Sequence, residues 1–177
     1  MVRVGFSTRT KNIFSRLIRW LTGSKTSHTW LLFEDSFFCL PMVMEATETG
    51  FRLIPYDNFK AEGNDIVAVI EPPYPLDEGV QQAARWLGER YDFTGLLGSV
   101  IVLLGRWFKR KWKNPLAASK AMFCSEAVVW VMRAAKYPGS EAFDPEATTP
   151  QDLLDFFVGA GLAKPKLVRG KRFGRAA

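Results

Sequence analysis

Histidine and cysteine are scarce in this chain of 177 residues. It contains one histidine, His28, and two cysteines, Cys39 and Cys124. Two cysteines do not make the disulfide framework of a small secreted protein, so a reducing compartment is favoured. One histidine and two dispersed cysteines also lack the close ligand spacing of a zinc site. The sequence therefore predicts a protein without a metal or another cofactor.

Long apolar segments are lacking as well. Residues 1–10 have no apolar core of the kind found in a secretion signal, which predicts a cytoplasmic protein. Delivery by a phage or by a dedicated secretion system is the alternative, because neither requires such a signal. The longest apolar run, 93–108, is shorter than the ~20 residues that a membrane-spanning helix needs. It predicts a buried helix or one that lies at a membrane interface.

Positive charge is in excess and is unevenly distributed. The formal net charge is +6 and the isoelectric point is about 9.5. The excess lies in the segment 109–113 and in the tail at 164–175. Such clusters usually form a solvated face, and the alternative is an anionic partner such as phospholipid headgroups or nucleic acid. The sequence shows no nucleic-acid-binding motif, so a nucleic-acid partner is the least favoured of these.

Length and hydropathy together predict one folded domain. A chain of 177 residues, 47% of them hydrophobic, can bury a substantial core but is short for two domains. Short apolar runs predict strands over 2–7, 28–33, 37–45, 51–54 and 65–71. Helices are predicted over 12–21, 77–87, 95–108, 125–136 and 149–157, where apolar residues recur at helical spacing or helix start and stop signals occur. Strands followed by helices are typical of an α+β fold with a small antiparallel sheet flanked by helices. We expect Cys39 to be a buried strand residue, and Asp77 and Thr149 to be helix N-caps.

One cysteine lies where a helix start can make it reactive. Cys124 begins an apolar segment, and both a helix N-terminus and an adjacent imidazole lower the pKa of a thiol. His28 begins a predicted strand, and Glu45 lies near the end of the next one, so antiparallel pairing can place the two side by side. Nucleophile, base and polar orienter are what a cysteine hydrolase needs. Taken singly, each of the three residues also fits a structural role.

Five short motifs, taken in order, resemble those of a known family. They are the helix and Ser-His strand entry at 17–28, Val43-Met44-Glu45-Ala46, Arg90-Tyr91-Asp92-Phe93, Phe123-Cys124-Ser125-Glu126 and Thr149-Pro150-Gln151-Asp152-Leu153. Histidine comes first, an acidic residue follows on the next strand, and the cysteine helix comes later. This order is similar to that of the circularly permuted papain-like group of the NlpC/P60 superfamily. The resemblance covers about residues 3–157 and implies one such domain over 1–163, followed by a basic, loose tail at 164–177.

The resemblance also implies a catalytic role for particular residues. Cys124 would be the nucleophile, His28 the general base, and Glu45 the group that orients the imidazole. Tyr91 and Ser125 would contribute to the oxyanion or substrate site. A core position for Tyr91 and a local capping bond for Ser125 are the structural alternatives. The implied enzyme is a thiol-dependent hydrolase or acyltransferase that cleaves an amide, ester or thioester bond through an acyl-enzyme.

Substrate and partners are less closely defined by the sequence. Peptide, muropeptide and lipid-like acyl substrates all suit such a site. Membrane-surface contact would suit a basic segment that follows an apolar run, here Lys109, Arg110, Lys111, Trp112 and Lys113. The alternative from another class is a non-catalytic domain of the same fold that binds a membrane surface or a protein partner through these basic and aromatic residues.

Overall fold

The computed structural model describes residues 1–9, 15–16, 19–20, 23–35, 37–47, 50–88 and 124–159. Several predicted features lie outside these ranges: Tyr91, the helix at 95–108, the basic segment 109–113, the domain boundary at 163 and the tail at 164–177. Of the predicted helix 12–21, the described residues are Ser15, Arg16, Arg19 and Trp20, which are helical. Within the described ranges, no helix combines the length and the hydropathy needed to cross a membrane.

Antiparallel strands form a five-stranded sheet in the described part of the chain. They are β1 (Val2–Thr8), β2 (His28–Asp35), β3 (Leu40–Thr47), β4 (Gly50–Pro55) and β5 (Asp65–Ile70), in the spatial order β4-β3-β2-β1-β5. The described α-helices are α1 (Tyr56–Ala61), α2 (Asp77–Ala83), α3 (Cys124–Ala134) and α4 (Pro150–Gly159), with 3-10 turns at Ala84–Trp86 and Ser140–Ala142. The predicted α+β class with a small antiparallel sheet and flanking helices is confirmed.

Side-chain alternation along the strands gives the sheet two buried faces. The larger core includes Leu31 of β2 and Met44 of β3, and α3 closes it with residues such as Val128. The opposite face carries Trp30, which packs against Phe59 of α1 with the ring centroids 4.6 Å apart. Helix α1 is absent from the predicted elements, because six residues are too few to show a helical period. Both faces of β2 are therefore covered.

The turn between β2 and β3 differs from the prediction. The strand predicted from residue 37 begins at Leu40, and residues 37–39 form an exposed turn instead. Cys39 is exposed, with a backbone φ of 54° in the left-handed region. The prediction of a buried strand position for Cys39 is therefore wrong. The cause is the strand register: Asp35 pairs with Leu40, so the residues between them reverse the chain whatever their hydrophobicity.

One of the two predicted N-caps is confirmed. Thr149 precedes α4, where its N–H and hydroxyl donate to Oδ2 of Asp152 at 2.8 Å and its Oγ1 accepts from the N–H of Asp152 at 3.1 Å. The prediction for Asp77 is wrong, because Leu76 occupies the N-cap position and Asp77 is the first helical residue. Leu76 is fully buried, so core packing fixes this helix start. The carboxylate of Asp77 still lies near the positive end of the helix dipole.

Gly79 sets the distance between α2 and α3, and its substitution tests this packing. A methyl group at Gly79 would collide with the backbone carbonyl of Val131 in α3. We expect Gly79→Ala to lower the free energy of unfolding by about 1–3 kcal/mol, although alanine favours helices. The matched control is Gly159→Ala at the end of α4, where the added atom meets none of the described residues within 4 Å, and it should not be destabilising. Chemical denaturation measures both, and a Gly79→Ala variant of unchanged stability would contradict the close contact.

Candidate active site

Cys124 is the first residue of α3, one residue before the predicted helix start. The helix forms as an amphipathic segment, with residues such as Val128 and Val131 buried against the sheet. Its first turn is anchored by Ser125, whose hydroxyl donates to the carbonyl of Thr148 at 2.7 Å, just before α4. The thiol is half-buried at this anchored helix start.

His28 is the first residue of β2, and the residues before it fix its position. The hydroxyl of Thr26 donates to the carbonyl of Ser7 at 2.8 Å, and the N–H of Ser27 donates to the same carbonyl at 3.1 Å. The imidazole is 15% exposed. It stacks on the ring of Phe59 in α1, with the centroids 6.4 Å apart. The ring of His28 therefore belongs to the sheet face that α1 covers.

Glu45, on β3, is a fully buried carboxylate with 0% side-chain exposure. Nε2–H of His28 donates to its Oε2 at 2.6 Å. Its Oε1 accepts from Nε and Nη2 of Arg52 at 2.9 and 2.5 Å. Arg52 lies on β4 directly opposite Glu45, so strand pairing itself places the guanidinium against the carboxylate. Because Nε2 of His28 is bound to Glu45, Nδ1 is the ring nitrogen that remains for Cys124.

Ion pairs continue from Arg52 toward the surface. Arg52 donates to Glu62 from Nη1 at 3.0 Å and from Nη2 at 2.5 Å. Arg9 donates to Glu62 at 3.1 Å and to Oδ1 of Asn64 at 3.0 Å. The amide of Asn64 in turn donates to the carbonyl of Phe59 at 2.7 Å. We call this series the polar chain; its members in order are Cys124, His28, Glu45, Arg52, Glu62 and Arg9.

Cys124 and His28 interact directly, and each changes the pKa of the other. Burial raises the pKa of the Cys124 thiol, but the hydrogen bond and charge of His28 outweigh burial and lower the pKa below its ordinary value. Burial lowers the pKa of His28, and its bonds to Cys124 and Glu45 outweigh that effect and raise it to about 10. The pair therefore favours the thiolate and imidazolium forms.

The same balance keeps Glu45 ionised. Burial raises the pKa of its carboxyl group, and the bonds and charges of His28 and Arg52 overcome burial, so the pKa lies below its ordinary value. A carboxylate accepts but does not donate, so it fixes a proton on Nε2 of His28 and holds the ring in one orientation. This is the orienting contact that the sequence predicts for Glu45.

Two backbone N–H groups contact the sulfur of Cys124. Those of Thr29 and Ser125 donate to it. Ser125 therefore contributes through its backbone, while its hydroxyl is engaged with Thr148. N–H groups at a helix start are suited to stabilising an oxyanion. Tyr91, the other residue predicted for this role, lies outside the described residues.

Two residues of this site, Arg52 and Phe59, are not predicted from the sequence. A turn between residues 47 and 50 is visible in the sequence, and a hairpin closed there pairs residue 45 with residue 52. The signal was thus an acidic and a basic residue facing each other across a predicted hairpin. Phe59 was missed because α1 was not predicted.

Comparison with known proteins identifies no family for the chain. No protein-family model matches it, and no curated protein matches it significantly. Over the ranges that the structure describes, no group of three or more His, Cys, Asp or Glu side chains could hold a metal ion. What the site can do chemically is argued from Cys124, His28 and Glu45 themselves.

We expect the thiolate of Cys124 to persist to lower pH than that of an ordinary cysteine. In alkylation by iodoacetamide, read by peptide mass spectrometry, the rate at Cys124 should have its inflection below the usual thiol pKa of about 8.5. His28→Gln should move the inflection above that value. Burial raises the pKa of Cys124, and the variant lacks the hydrogen bond and the charge of His28 that lower it. Cys39, exposed in its turn, is the internal control. A Cys124 inflection that does not depend on His28 would contradict the direct interaction.

Proposed function

We propose that this protein is a thiol-dependent hydrolase or acyltransferase that cleaves an amide, ester or thioester bond. The observation that carries the proposal is the polar chain from Cys124 through His28 to a fully buried Glu45. It supplies a thiol with a lowered pKa, a base and acid beside it, and an orienting carboxylate. These are the requirements of nucleophilic catalysis by cysteine.

The reaction would proceed in two halves. The thiolate of Cys124 attacks the carbonyl carbon, a C–S bond forms, and the carbonyl π electrons move to oxygen. Backbone N–H groups at the start of α3 stabilise that oxyanion. The imidazolium of His28 gives its proton to the leaving amine, alcohol or thiol as the carbonyl re-forms and the bond to the leaving group breaks. Neutral His28 then takes a proton from water or another acceptor nucleophile, which attacks the acyl-enzyme and releases the thiolate.

We propose further that the fold is the permuted papain-like arrangement of the NlpC/P60 superfamily. The order of functional elements supports this: His28 begins β2, Glu45 follows on the adjacent β3, and Cys124 begins a later helix packed on the same sheet. The Thr-Pro-x-Asp-Leu motif also has a defined structural role, since Thr149 and Asp152 cap α4 reciprocally. The substrates proposed with this fold are peptide, muropeptide or lipid-like acyl groups.

Turnover of a substrate panel tests the activity. We expect a chromogenic ester, a thioester or a muropeptide amide to be cleaved, with a transient acyl adduct on Cys124 in intact-mass spectra. Cys124→Ala should reduce kcat/KM by at least about 10³-fold, and His28→Gln by about 10²–10⁴-fold. Cys39→Ala is the matched control, because Cys39 lies in the exposed β2–β3 turn. Full activity of Cys124→Ala, or an adduct on Cys39 alone, would overturn the proposal.

The pH profile of the same reaction provides a separate test. Because the leaving group needs the proton of His28, kcat/KM should fall on the alkaline side as His28 loses it, at a pKa of about 10. On the acid side, activity falls as the thiolate of Cys124 is protonated. Glu45→Gln should move the alkaline limb to lower pH, because the carboxylate stabilises the imidazolium. An alkaline limb that is the same in wild type and Glu45→Gln would show that Glu45 does not act on His28.

A further inference from the structure

Arg52 is the fourth member of the polar chain, and its hydrogen bonds go to Glu45 and Glu62 and not to Cys124 or His28. Its guanidinium binds Glu45 on one side and Glu62 on the other. We propose that Arg52 is a positioning residue whose charge allows Glu45 and Cys124 to be anionic at the same time. This inference depends on the proposed function, because it concerns the nucleophile of that reaction.

The argument begins with the charges at the buried end of the polar chain. A thiolate at Cys124 and a carboxylate at Glu45 are two anions, and the imidazolium of His28 between them is one cation. Glu45 has no exposed side-chain surface, so water does not compensate the excess negative charge there. Arg52 supplies the second cation through two donors to Oε1, and the four charges then sum to zero.

Removal of the guanidinium would leave two anions to share one cation. The site then binds an additional proton, which goes to the group with the higher proton affinity. A thiol has an unperturbed pKa of about 8.5 and a glutamic acid about 4.3, so the thiolate takes the proton. Glu45 would remain ionised and keep its bond to His28, while Cys124 would become an unreactive thiol. The effect of Arg52 therefore reaches the sulfur through Glu45.

The neighbours of Arg52 hold its charge in place. Glu62, at the C-terminal end of α1, accepts from Arg52 and also from Arg9 at 3.1 Å. The remaining charged groups of α1, Asp57 and Lys60, pair with each other at 2.7 Å. The described charged residues of α3 are Glu126, which accepts from the indole of Trp130 at 3.4 Å, and Arg133, which donates to the carbonyl of Phe143 at 2.7 Å. Among these charged groups, Arg52 is the one that pairs with the buried carboxylate of Glu45.

The test compares Arg52→Gln with Arg52→Lys by the pH dependence of iodoacetamide alkylation at Cys124. Arg52→Gln should raise the inflection by about half to one pH unit, less than the roughly one to three units that a direct charge partner produces, because Arg52 acts on the sulfur through Glu45. Arg52→Lys keeps the charge, though not the bidentate geometry, and should recover most of that shift. A role in packing alone would affect both variants similarly and would leave the inflection unchanged. Circular dichroism confirms that each variant is folded.

A second background shows whether the effect passes through Glu45. The variant Glu45→Gln has no buried carboxylate whose charge must be balanced. Adding Arg52→Gln to it should shift the Cys124 inflection by less than half of the shift that Arg52→Gln causes when Glu45 is present. A full shift in that background, or no shift from Arg52→Gln alone, would overturn the inference. If Arg52→Gln alone does not fold, the double variant with Glu45→Gln should fold, because it no longer contains the uncompensated carboxylate. A double variant that is equally unstable would overturn the inference.

The two proposals fail in different ways. If the inflection of wild-type Cys124 is that of an ordinary thiol and is insensitive to His28→Gln, the proposed function fails first. If that inflection is low and depends on His28, yet a folded Arg52→Gln leaves it unchanged, the role of Arg52 alone is excluded. Cys39 serves as the internal control in every variant.

Discussion

A carboxylate without access to solvent is stable in a protein only where cations or hydrogen-bond donors meet both of its oxygens. For Glu45 the donors are His28 and Arg52, which come from the strands on either side of β3. The buried charge therefore links β2, β3 and β4 through side chains as well as through the backbone. A slip of β3 by one residue would turn Glu45 toward the larger core around Leu31 and Met44. The hydrogen bonds of His28 and Arg52 to Glu45 therefore favour the register in which β2, β3 and β4 pair.

The site lies at the end of the sheet where β2 begins with His28 and α3 begins with Cys124. His28 shares the face of Trp30 and Phe59, which α1 covers, whereas Cys124 belongs to α3 on the opposite face. The two side chains can interact because His28 is the first residue of β2, so the sheet does not separate it from the start of α3. The position of His28 at a strand end, and not within a strand, is what brings the imidazole to the thiol. The start of α3 supplies the thiol, and Phe59 of α1 packs against the imidazole.

The sequence predicted the parts of this site that depend on local periodicity. Runs of aromatic and aliphatic residues located the strands of His28 and Glu45, and an apolar helix pattern located Cys124. It missed α1, because six residues carry no clear period and the helix is stabilised by packing of Phe59. It misplaced Cys39, because hydrophobicity does not show which residues a hairpin uses to turn. The charge balance at Arg52 also escaped it, since that balance depends on burial, which is known only when both faces of the sheet are covered.

The wide separation of His28 and Cys124 along the chain has a consequence for the pKa of the thiol. More than half of the chain separates the two residues, so their contact requires the non-local packing of α3 against the sheet. The hairpins that carry His28, Glu45 and Arg52 are local and can form earlier. In an incompletely folded chain, Cys124 would have the proton affinity of an ordinary thiol. The lowered pKa of the Cys124 thiol is thus a property of the packed fold and not of the local sequence around Cys124.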